Sequence, residues 1–284
     1  MTFPAVRRRD PGFPPLLKEL HDPPPQLFLR GGSPEVLHRP SIAIVGARSC
    51  SAYGAQVARM LGRELAAAGA VVVSGLARGV DGEAHRGALE AGGTTVAVLG
   101  CGIDRDYPRR HSELAGRIEE SGAIVSEYPP GTEPAPWRFP ARNRIVAGLC
   151  LATVVVEARS RSGALITADF ALELGREVFA VPGEITSGLS AGTNDLLCQG
   201  ATPLLAAGDV LDVLGIEPPP RTRAALSEAA ADVFRLLADE AREADGLTRA
   251  SGRSSAEVGA ALVELELAGL VASADGVYRA VVAV

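Results

Sequence analysis

The chain almost lacks lysine. Lys18 is the only lysine, so nearly every cationic side chain is an arginine. A P-loop needs a lysine beside the phosphates, and a pyridoxal phosphate enzyme needs one for its Schiff base. Lys18 lies in a proline-flanked segment far from any glycine-rich loop. The sequence therefore excludes both of these enzyme classes.

Cysteines are few, and long apolar runs are absent. The four cysteines are widely spaced and form neither a C-x-x-C pair nor a Cys/His ligand pattern, which argues against a zinc site and is typical of a reducing cytoplasm. The N-terminal Arg7-Arg8-Arg9 is followed by prolines instead of the apolar run of a signal peptide. We expect a cytoplasmic protein with no metal, no cofactor and no membrane span.

Aromatic residues make up only 4% of the chain, and the formal net charge is −6. The charge argues against a protein with basic residues over its whole surface. Binding of nucleic acid requires only a local basic patch, so this function stays open.

Short apolar strands alternate with helical segments from residue 41 to residue 181. The first strand, Ile42–Val45, precedes a helical pattern over Tyr53–Ala68. Strands that are apolar on both sides and alternate with helices indicate a parallel sheet covered on both faces. The sequence therefore predicts an α/β fold with a doubly wound sheet. Three further elements bear on the site: a helix over Arg142–Leu149, a strand over Thr153–Val156 and a helix over Gly163–Leu174.

The pattern changes after the three prolines at 218–220. Ala224–Glu240 is amphipathic, a short helix begins at Leu247, and Ser254–Leu267 is a third helix followed by a hairpin pattern. Three helices and a hairpin predict a winged helix. The predicted organisation is an irregular Pro/Arg-rich lead-in with one short helix over 1–38, the sheet domain over 39–216, a Pro-rich linker over 217–223, and a winged-helix-like domain over 224–284.

The tail is acidic. Residues 221–284 contain seven Arg and ten Asp or Glu, a charge of 7 − 10 = −3. Glu257, Glu264 and Glu266 lie along the third helix, where they would repel DNA. This charge favours contact with protein, or support of a dimer, over reading of a DNA groove.

One stretch, from Trp137 to Ala168, carries the strongest functional signal. Trp137, Phe139 and Asn143 lie among five arginines, and a Ser-Gly pair opens the next helix. Arginine forks, aromatic faces and free N-terminal amides of helices bind phosphates and unstacked bases. The arginines are Arg138, Arg142, Arg144, Arg159 and Arg161. Arg142 and Arg144 lie on different faces of the predicted helix, so one can bind a ligand while the other forms a structural ion pair.

Glycines follow several of the predicted strands, where a doubly wound sheet binds its ligands. The strand-end segments include Gly46-Ala47-Arg48 and Ser74-Gly75 on neighbouring strands. Glycine lets backbone amides approach a phosphate, although a tight turn alone also explains it. Ser162, Gly163 and Thr167 lie at or near the start of the next helix, where they either cap it or bind an anion.

Enzymatic signals are weak. A dinucleotide-binding G-x-G-x-x-G begins at Gly100 and Gly102, but Arg105 stands where the third glycine is needed. Asp81 and His85 lie one helical turn apart and could form an acid–base pair, although such an Asp is more often a helix cap and such a His a packed or hydrogen-bonded neighbour. No better catalytic constellation is visible.

The motifs, taken together, resemble the DNA-processing protein A family (DprA, also called Smf). The matching segments are I-A-I-V-G-A-R, S-G-L-A-R-G-V-D-G-E-A-H, T-V-A-V-L-G-C-G-I-D-R-D-Y-P, S-E-Y-P-P-G, F-P-A-R-N-R-I-V-A-G-L, S-G-A-L-I-T-A and V-F-A-V-P-G. The tail resembles the winged-helix module of many members. Gly-Ala-Arg at 46–48 replaces the usual Gly-Ser-Arg, and only the end of the extra N-terminal helical domain of many members would fit the lead-in.

The resemblance implies an extended Rossmann-like domain that binds single-stranded DNA and forms a homodimer. It implies a mediator without catalysis that brings a RecA-type recombinase onto incoming strands during natural transformation. By motif, Arg48 and the Arg142-Asn143-Arg144 group are the main DNA contacts. The same pocket would be lined by Gly46, Ser74, Gly75, Ser162, Gly163 and Thr167, with Arg138 and Phe139 beside it.

Two other functions remain open at this point. An enzyme acting on a nucleotide would use the same pocket, and release of base from nucleoside monophosphates would reveal it. A protein-interaction scaffold would bind a partner but no DNA at low salt.

Overall fold

The structure is a computed structural model that describes residues 3–217, 226–274 and 276–280. Its chain divides into two compact units at residues 219 and 220. Most of the predicted linker, residues 218–223, lies outside the described residues. Among the described residues, no helix has the length and apolar character needed to cross a bilayer.

A nine-stranded sheet forms the first unit, in the order β1-β2-β6-β5-β4-β3-β7-β8-β9. All pairs from β6 to β9 are parallel. The strands are β1 Ala5–Arg7, β2 Gln26–Arg30, β3 Ser41–Val45, β4 Val71–Ser74, β5 Thr95–Val98, β6 Ala123–Ser126, β7 Ala152–Val155, β8 Glu177–Ala180 and β9 Thr202–Pro203.

The N-terminal segment is more regular than predicted. The predicted short helix is present as a 3-10 helix at Leu16–Glu19, and a second lies at Pro34–His38. The segment also supplies β1 and β2, and β2 pairs antiparallel with β6 at Phe28 and Ser126. The alternating burial of Gln26–Arg30 explains this pairing, because Leu27 and Leu29 are buried while their neighbours are only half-buried. A mixed edge on a parallel sheet is common in this class of fold. The lead-in is therefore part of the sheet domain.

Helices cover both faces of the sheet. Ile42 and Ile44 of β3 pack with Leu61 on one face, whereas Val45 of β3 packs with Ile145 on the other. Burial of each such side chain contributes about 1.5–3 kcal/mol, which is why the strands are apolar throughout. The helices of this unit are α1 Ala52–Ala67, α2 Val80–Glu90, α3 Ser112–Ser121, α4 Arg138–Gly148, α5 Gly163–Glu173, α6 Ala191–Cys198 and α7 Ala207–Leu214. This arrangement confirms the predicted doubly wound α/β fold.

Helix α4 begins four residues earlier than the sequence predicted. Pro140 is the third residue of the helix. The first N–H groups of a helix have no intrahelical acceptor, so proline is tolerated in the first turn. Arg142 and Arg144 consequently lie one turn inside the helix.

The second unit contains three helices and a small sheet. Val233, Leu247, Val258 and Leu262 form its core. Its elements are α8 Glu228–Asp239, β10 Arg242–Glu243, α9 Ala244–Ser251, α10 Ser255–Leu267, β11 Val271–Ala274 and β12 Val277–Ala280. The sheet order β10-β12-β11 adds one strand to the predicted hairpin and completes a winged helix.

Candidate functional site

The order in which strands join the sheet reverses between β3 and β7, although these two strands run parallel. β3 pairs with β4 on one side and with β7 on the other, and the chain leaves β3 and β7 towards helices on opposite faces. Such a reversal opens a crevice at the carboxyl ends of the strands, where open α/β sheets bind ligands. The Ala47 N–H donates to the Glu157 carbonyl over 2.7 Å and joins the two strand ends.

A pocket of about 250 Å³ occupies this crevice, and we call it the switch-point pocket. The structure brings nine of the twelve predicted site residues to its lining. They are Gly46, Arg48, Gly75, Phe139, Arg142, Asn143, Ser162, Gly163 and Thr167. Residues that are far apart in sequence therefore share one site.

Arg142 lies at the base of the pocket with only 4% of its surface exposed. Its Nη1 donates to the Val98 carbonyl, and its guanidinium packs flat on Gly75. A Cβ at residue 75 would lie 2.3 Å from Nη1, so only glycine leaves room for this arginine. Burial lowers the pKa of Arg142, while the nearby Asp81 carboxylate acts in the opposite direction. A guanidinium keeps its charge at neutral pH, so Arg142 contributes a fixed positive charge to the base of the pocket.

Asp81 holds the turn that follows β4. It is the second residue of α2 and not the helix cap that the sequence predicted. Its Oδ2 accepts hydrogen bonds from the N–H groups of Gly75 and Ala77 over 3.1 and 3.3 Å. Leu76 between them has φ +58°, a left-handed conformation that costs a branched residue about 1–3 kcal/mol. Burial raises the pKa of Asp81, and Arg142 and these two N–H donors act against that rise. The carboxylate thus fixes the strained turn beside Arg142.

Arg48 stands at the mouth of the pocket. It is exposed and forms no hydrogen bond or ion pair within the described residues. Its guanidinium lies 5.2 Å from the ring centroid of Phe139, and Phe139 stacks on Tyr107 at 5.2 Å with an interplanar angle of 25°. Exposed arginine and offset aromatic faces can bind phosphate and base of one nucleotide.

The start of α5 forms the opposite wall. The Ser162 side chain accepts from the Ala164 N–H over 3.3 Å, and Asn143 Nδ2 donates to the Gly163 carbonyl over 2.9 Å. Thr167 is buried one turn further along. Gly163 is exposed, and no atom lies within 4 Å of the position of a Cβ there. Ser162 therefore caps α5 in the ordinary way, and the space beside Gly163 remains open, so a ligand in the pocket can approach the N-terminus of the helix.

A larger cleft of about 810 Å³ continues from the switch-point pocket and shares Arg48, Phe139 and Arg142 with it. We call it the basic cleft. Its cationic and aromatic lining includes five residues that the sequence analysis did not place in the site: Arg78, Arg105, Tyr107, Arg109 and Arg110. Four of them lie in the segment R-D-Y-P-R-R, which follows β5 at the same edge of the sheet. Their location directly after a strand of the parallel sheet was the sequence signal that could have identified these four residues.

The charge in the basic cleft is largely uncompensated. Its acidic residues are already paired: Asp106 with Arg30 at 2.5 Å, and Glu133 with Arg105 at 2.7 Å. Within the described residues, Arg78, Arg109 and Arg110 have no ion pair, and neither has Arg48. Four cationic side chains therefore remain for a polyanion.

Three predicted site residues lie elsewhere. Ser74 is fully buried and donates to the Ile44 carbonyl over 2.6 Å. Arg138 donates to the Glu133 carbonyl and lies over the ring of Trp137. Arg144 forms a two-pronged ion pair with Glu127 at 2.8 and 2.7 Å. Of the two arginines on different helix faces, Arg142 lines the pocket and Arg144 forms a structural ion pair.

The Asp81–His85 pair is not arranged for acid–base chemistry on a ligand. His85 is fully buried, and its Nδ1 lies 2.7 Å from Thr95 Oγ1, away from solvent. Burial lowers the pKa of His85 to about 3, with the neighbouring His111 acting in the same direction. The described residues contain no group of three or more His, Cys, Asp or Glu side chains that could hold a metal ion.

The fold and this site define a Rossmann-like protein with a cationic, partly aromatic cleft at its topological switch point. Residues 5–215 match the family model of DNA recombination-mediator protein A, and residues 217–276 match the DprA winged helix domain. The chain belongs to the DprA family of DNA recombination mediators.

Relatives and solved structures agree with this assignment. DprA of Streptococcus pneumoniae is 45% identical over 213 residues, which span 74% of this chain and 73% of the relative. Protein Smf of Escherichia coli is 41% identical over 278 residues, 94% of this chain and 74% of the relative. The X-ray structure of the S. pneumoniae protein superposes with a TM-score of 0.71 at 43% identity and covers 74% of each chain.

A second solved structure concerns DNA itself. DprA of Helicobacter pylori, described for its single-stranded DNA binding mode, matches with a TM-score of 0.67 at 32% identity. The match covers 75% of this chain and 96% of that one.

Proposed function

We propose that this chain binds single-stranded DNA along the switch-point pocket and the basic cleft, and that binding rather than catalysis is the role of the site. The supporting observation is a group of four arginines that have no ion pair in the described part of the chain, Arg48, Arg78, Arg109 and Arg110, beside the Phe139–Tyr107 stack. A positively charged groove with aromatic faces is the common design of single-strand binding proteins. The H. pylori relative, which is described as binding single-stranded DNA, supports the same function.

The geometry favours a single strand over a duplex. Phe139 and Tyr107 can stack only on a base whose face is free, and such a face is available in an unpaired strand. Arg142 and the exposed Gly163 at the start of α5 both line the switch-point pocket, where a phosphate or a base edge can bind. The acidic residues along α10 make the winged helix a poor candidate for a second DNA contact.

We further propose that the chain acts as a homodimer and delivers a RecA-type recombinase to the bound strand, during natural transformation in the cytoplasm. The family description as a recombination mediator supports this role. Sedimentation equilibrium will give the oligomeric state. The rate of recombinase filament growth on a strand coated with single-strand-binding protein will test the delivery, and we expect Arg48→Ala to reduce it.

The decisive test is the salt dependence of strand binding. We expect Arg48→Ala to weaken binding of a labelled oligonucleotide and to lower the slope of log K against log salt by about 0.7, the value for one phosphate contact on a single strand. Arg117→Ala is the matched control, because Arg117 is also exposed but lies on α3 and lines neither cavity. Binding that is equally tight in Arg48→Ala and in the wild type would remove Arg48 from the proposed DNA interface. Release of base from nucleoside monophosphates would instead favour an enzyme.

A further inference from the structure

Trp137 has an unusual environment. It is the only tryptophan in the chain, and 62% of its surface is exposed. Tryptophan is usually highly buried, since its ring gains more from leaving water than almost any other side chain. Trp137 lines neither the switch-point pocket nor the basic cleft. No interaction inside the described fold explains why so large a ring remains on the surface.

The ring is nevertheless held in place. The Arg138 guanidinium lies 4.8 Å from the Trp137 ring centroid and 5.1 Å from that of Tyr128. Arg138 also donates to the Glu133 carbonyl, which fixes the guanidinium between the two rings. One face of the indole is therefore covered by a cation, and the exposed surface belongs to the rest of the ring. An ordered aromatic with one free face is a preorganised stacking surface.

This surface adjoins the basic cleft. Glu133 lines the cleft, and the same residue accepts the hydrogen bond of Arg138. Trp137 is the N-cap residue of α4 and Phe139 is its second helical residue, so the two rings leave the start of the helix in different directions. Arg138 thus links the Glu133 wall of the cleft to the Trp137 ring.

The surroundings favour a base over a protein partner. A tryptophan at the centre of a protein interface sits within an apolar patch. Here the ring contacts Arg138, whose guanidinium also lies over Tyr128 and donates to the Glu133 carbonyl. Among the described residues of this unit, the other large exposed apolar side chains lie on other elements: Tyr53, Tyr107, Leu172, Ile185, Leu205 and Val213. Of these side chains, Tyr107 lines the basic cleft itself.

We propose that Trp137 is a second base-stacking site, which holds an unpaired base of the strand as it leaves the basic cleft. This inference rests on the proposed function, because the cleft must first hold the strand. Arg138 is then a positioning residue that supports the indole, which accounts for its location outside both cavities. The site adds length to the DNA footprint without adding a phosphate contact.

The experiment uses the single tryptophan as its own reporter. Labelled oligothymidylates of increasing length, over about 4 to 16 nucleotides, are titrated with the full chain while label anisotropy and Trp137 emission are recorded together. We expect anisotropy to report binding once the strand fills the cleft. We expect quenching of Trp137 only above a longer threshold length.

Variants define the contribution of the ring. Above the threshold we expect Trp137→Ala to weaken binding between about 5-fold and about 150-fold, the range for loss of one stacked base. Below the threshold it should bind as the wild type, and Trp137→Phe should retain most of the affinity at every length. Leu172→Ala is the matched control, because Leu172 is an exposed apolar residue that lines neither cavity. Thermal melting of each variant verifies its fold.

The possible failures are distinguishable. If the wild type binds no oligonucleotide, the proposed function fails. If it binds while emission stays constant and Trp137→Ala binds equally well at all lengths, the second stacking site is refuted and the proposed function stands. If emission changes with protein concentration alone and Trp137→Ala alters sedimentation, Trp137 is a contact between copies of the chain and the inference is overturned.

Discussion

Arg144 offers a direct test of which arginines build the fold and which bind the ligand. Its guanidinium donates to both carboxylate oxygens of Glu127, and these side chains are 14% and 11% exposed. It also donates to the carbonyls of Ala141 and Asp22 over 2.8 and 3.1 Å. Arg144→Ala removes all four hydrogen bonds and leaves the Glu127 carboxylate largely buried without its partner.

The expected loss of stability follows from that geometry. A hydrogen bond to a charged group contributes about 1.5–3 kcal/mol, and removal of one partner from a fully buried ion pair costs about 3–5 kcal/mol. Glu127 retains some contact with solvent, so we expect the free energy of unfolding to fall by about 3 kcal/mol. For a domain of this size, 1 kcal/mol shifts Tm by about 2–4 °C, which gives a decrease of about 6–12 °C.

The assay compares Arg144→Ala with Arg48→Ala. Thermal unfolding is followed by circular dichroism, and strand binding is measured at a temperature at which both variants are folded. We expect Arg48→Ala to melt within about 3 °C of the wild type, because it loses only an exposed cation–π contact of about 0.5–1 kcal/mol. We expect Arg144→Ala to bind as the wild type. An unchanged Tm for Arg144→Ala, or a reduced salt slope like that of Arg48→Ala, would refute this division.

Two other tests concern the backbone of the pocket and its buried histidine. Gly75→Ala should lower the free energy of unfolding by about 1–3 kcal/mol and should also lower strand affinity, because the new methyl group displaces the Arg142 guanidinium. Gly163→Ala should lower strand affinity alone, since its methyl group meets only open space in the folded chain. Melting and anisotropy measured on the pair will show this, and equal effects of the two substitutions would contradict it. His85, with its pKa lowered from 6.5 to about 3, takes up a proton on unfolding between these values, so stability is complete above pH 6.5 and falls as the pH decreases. Between pH 7 and pH 5 we expect the free energy of unfolding to fall by about 2 kcal/mol because of this group. Urea unfolding at the two pH values will measure the fall, and His85→Asn should remove this contribution. An equal pH dependence in both proteins would contradict the assignment.

Most of the fold could be predicted from local sequence. β3 and β4 have apolar residues on both sides, and turns with glycine end α1 and α2, so the order of elements was readable. The two strands of the N-terminal segment were missed because β1 is only three residues long and gains its stability from pairing with β2. Strand pairing of this kind is set by tertiary context more than by propensity.

The site was readable in part. The sequence by itself determined that arginines and glycines follow strands of a parallel sheet, because the carboxyl ends of such strands must share one edge. It also determined that Arg142 and Arg144 diverge, since neighbours two apart on a helix point in different directions.

Only the tertiary structure decided which arginine is free to bind. Arg144 meets Glu127, which lies 17 residues away along the chain, while Arg48, Arg78, Arg109 and Arg110 meet no carboxylate within the described residues. An arginine has the same chemistry in both settings. Its role depends on whether the packed fold places an acidic partner within reach, and sequence spacing does not fix that distance.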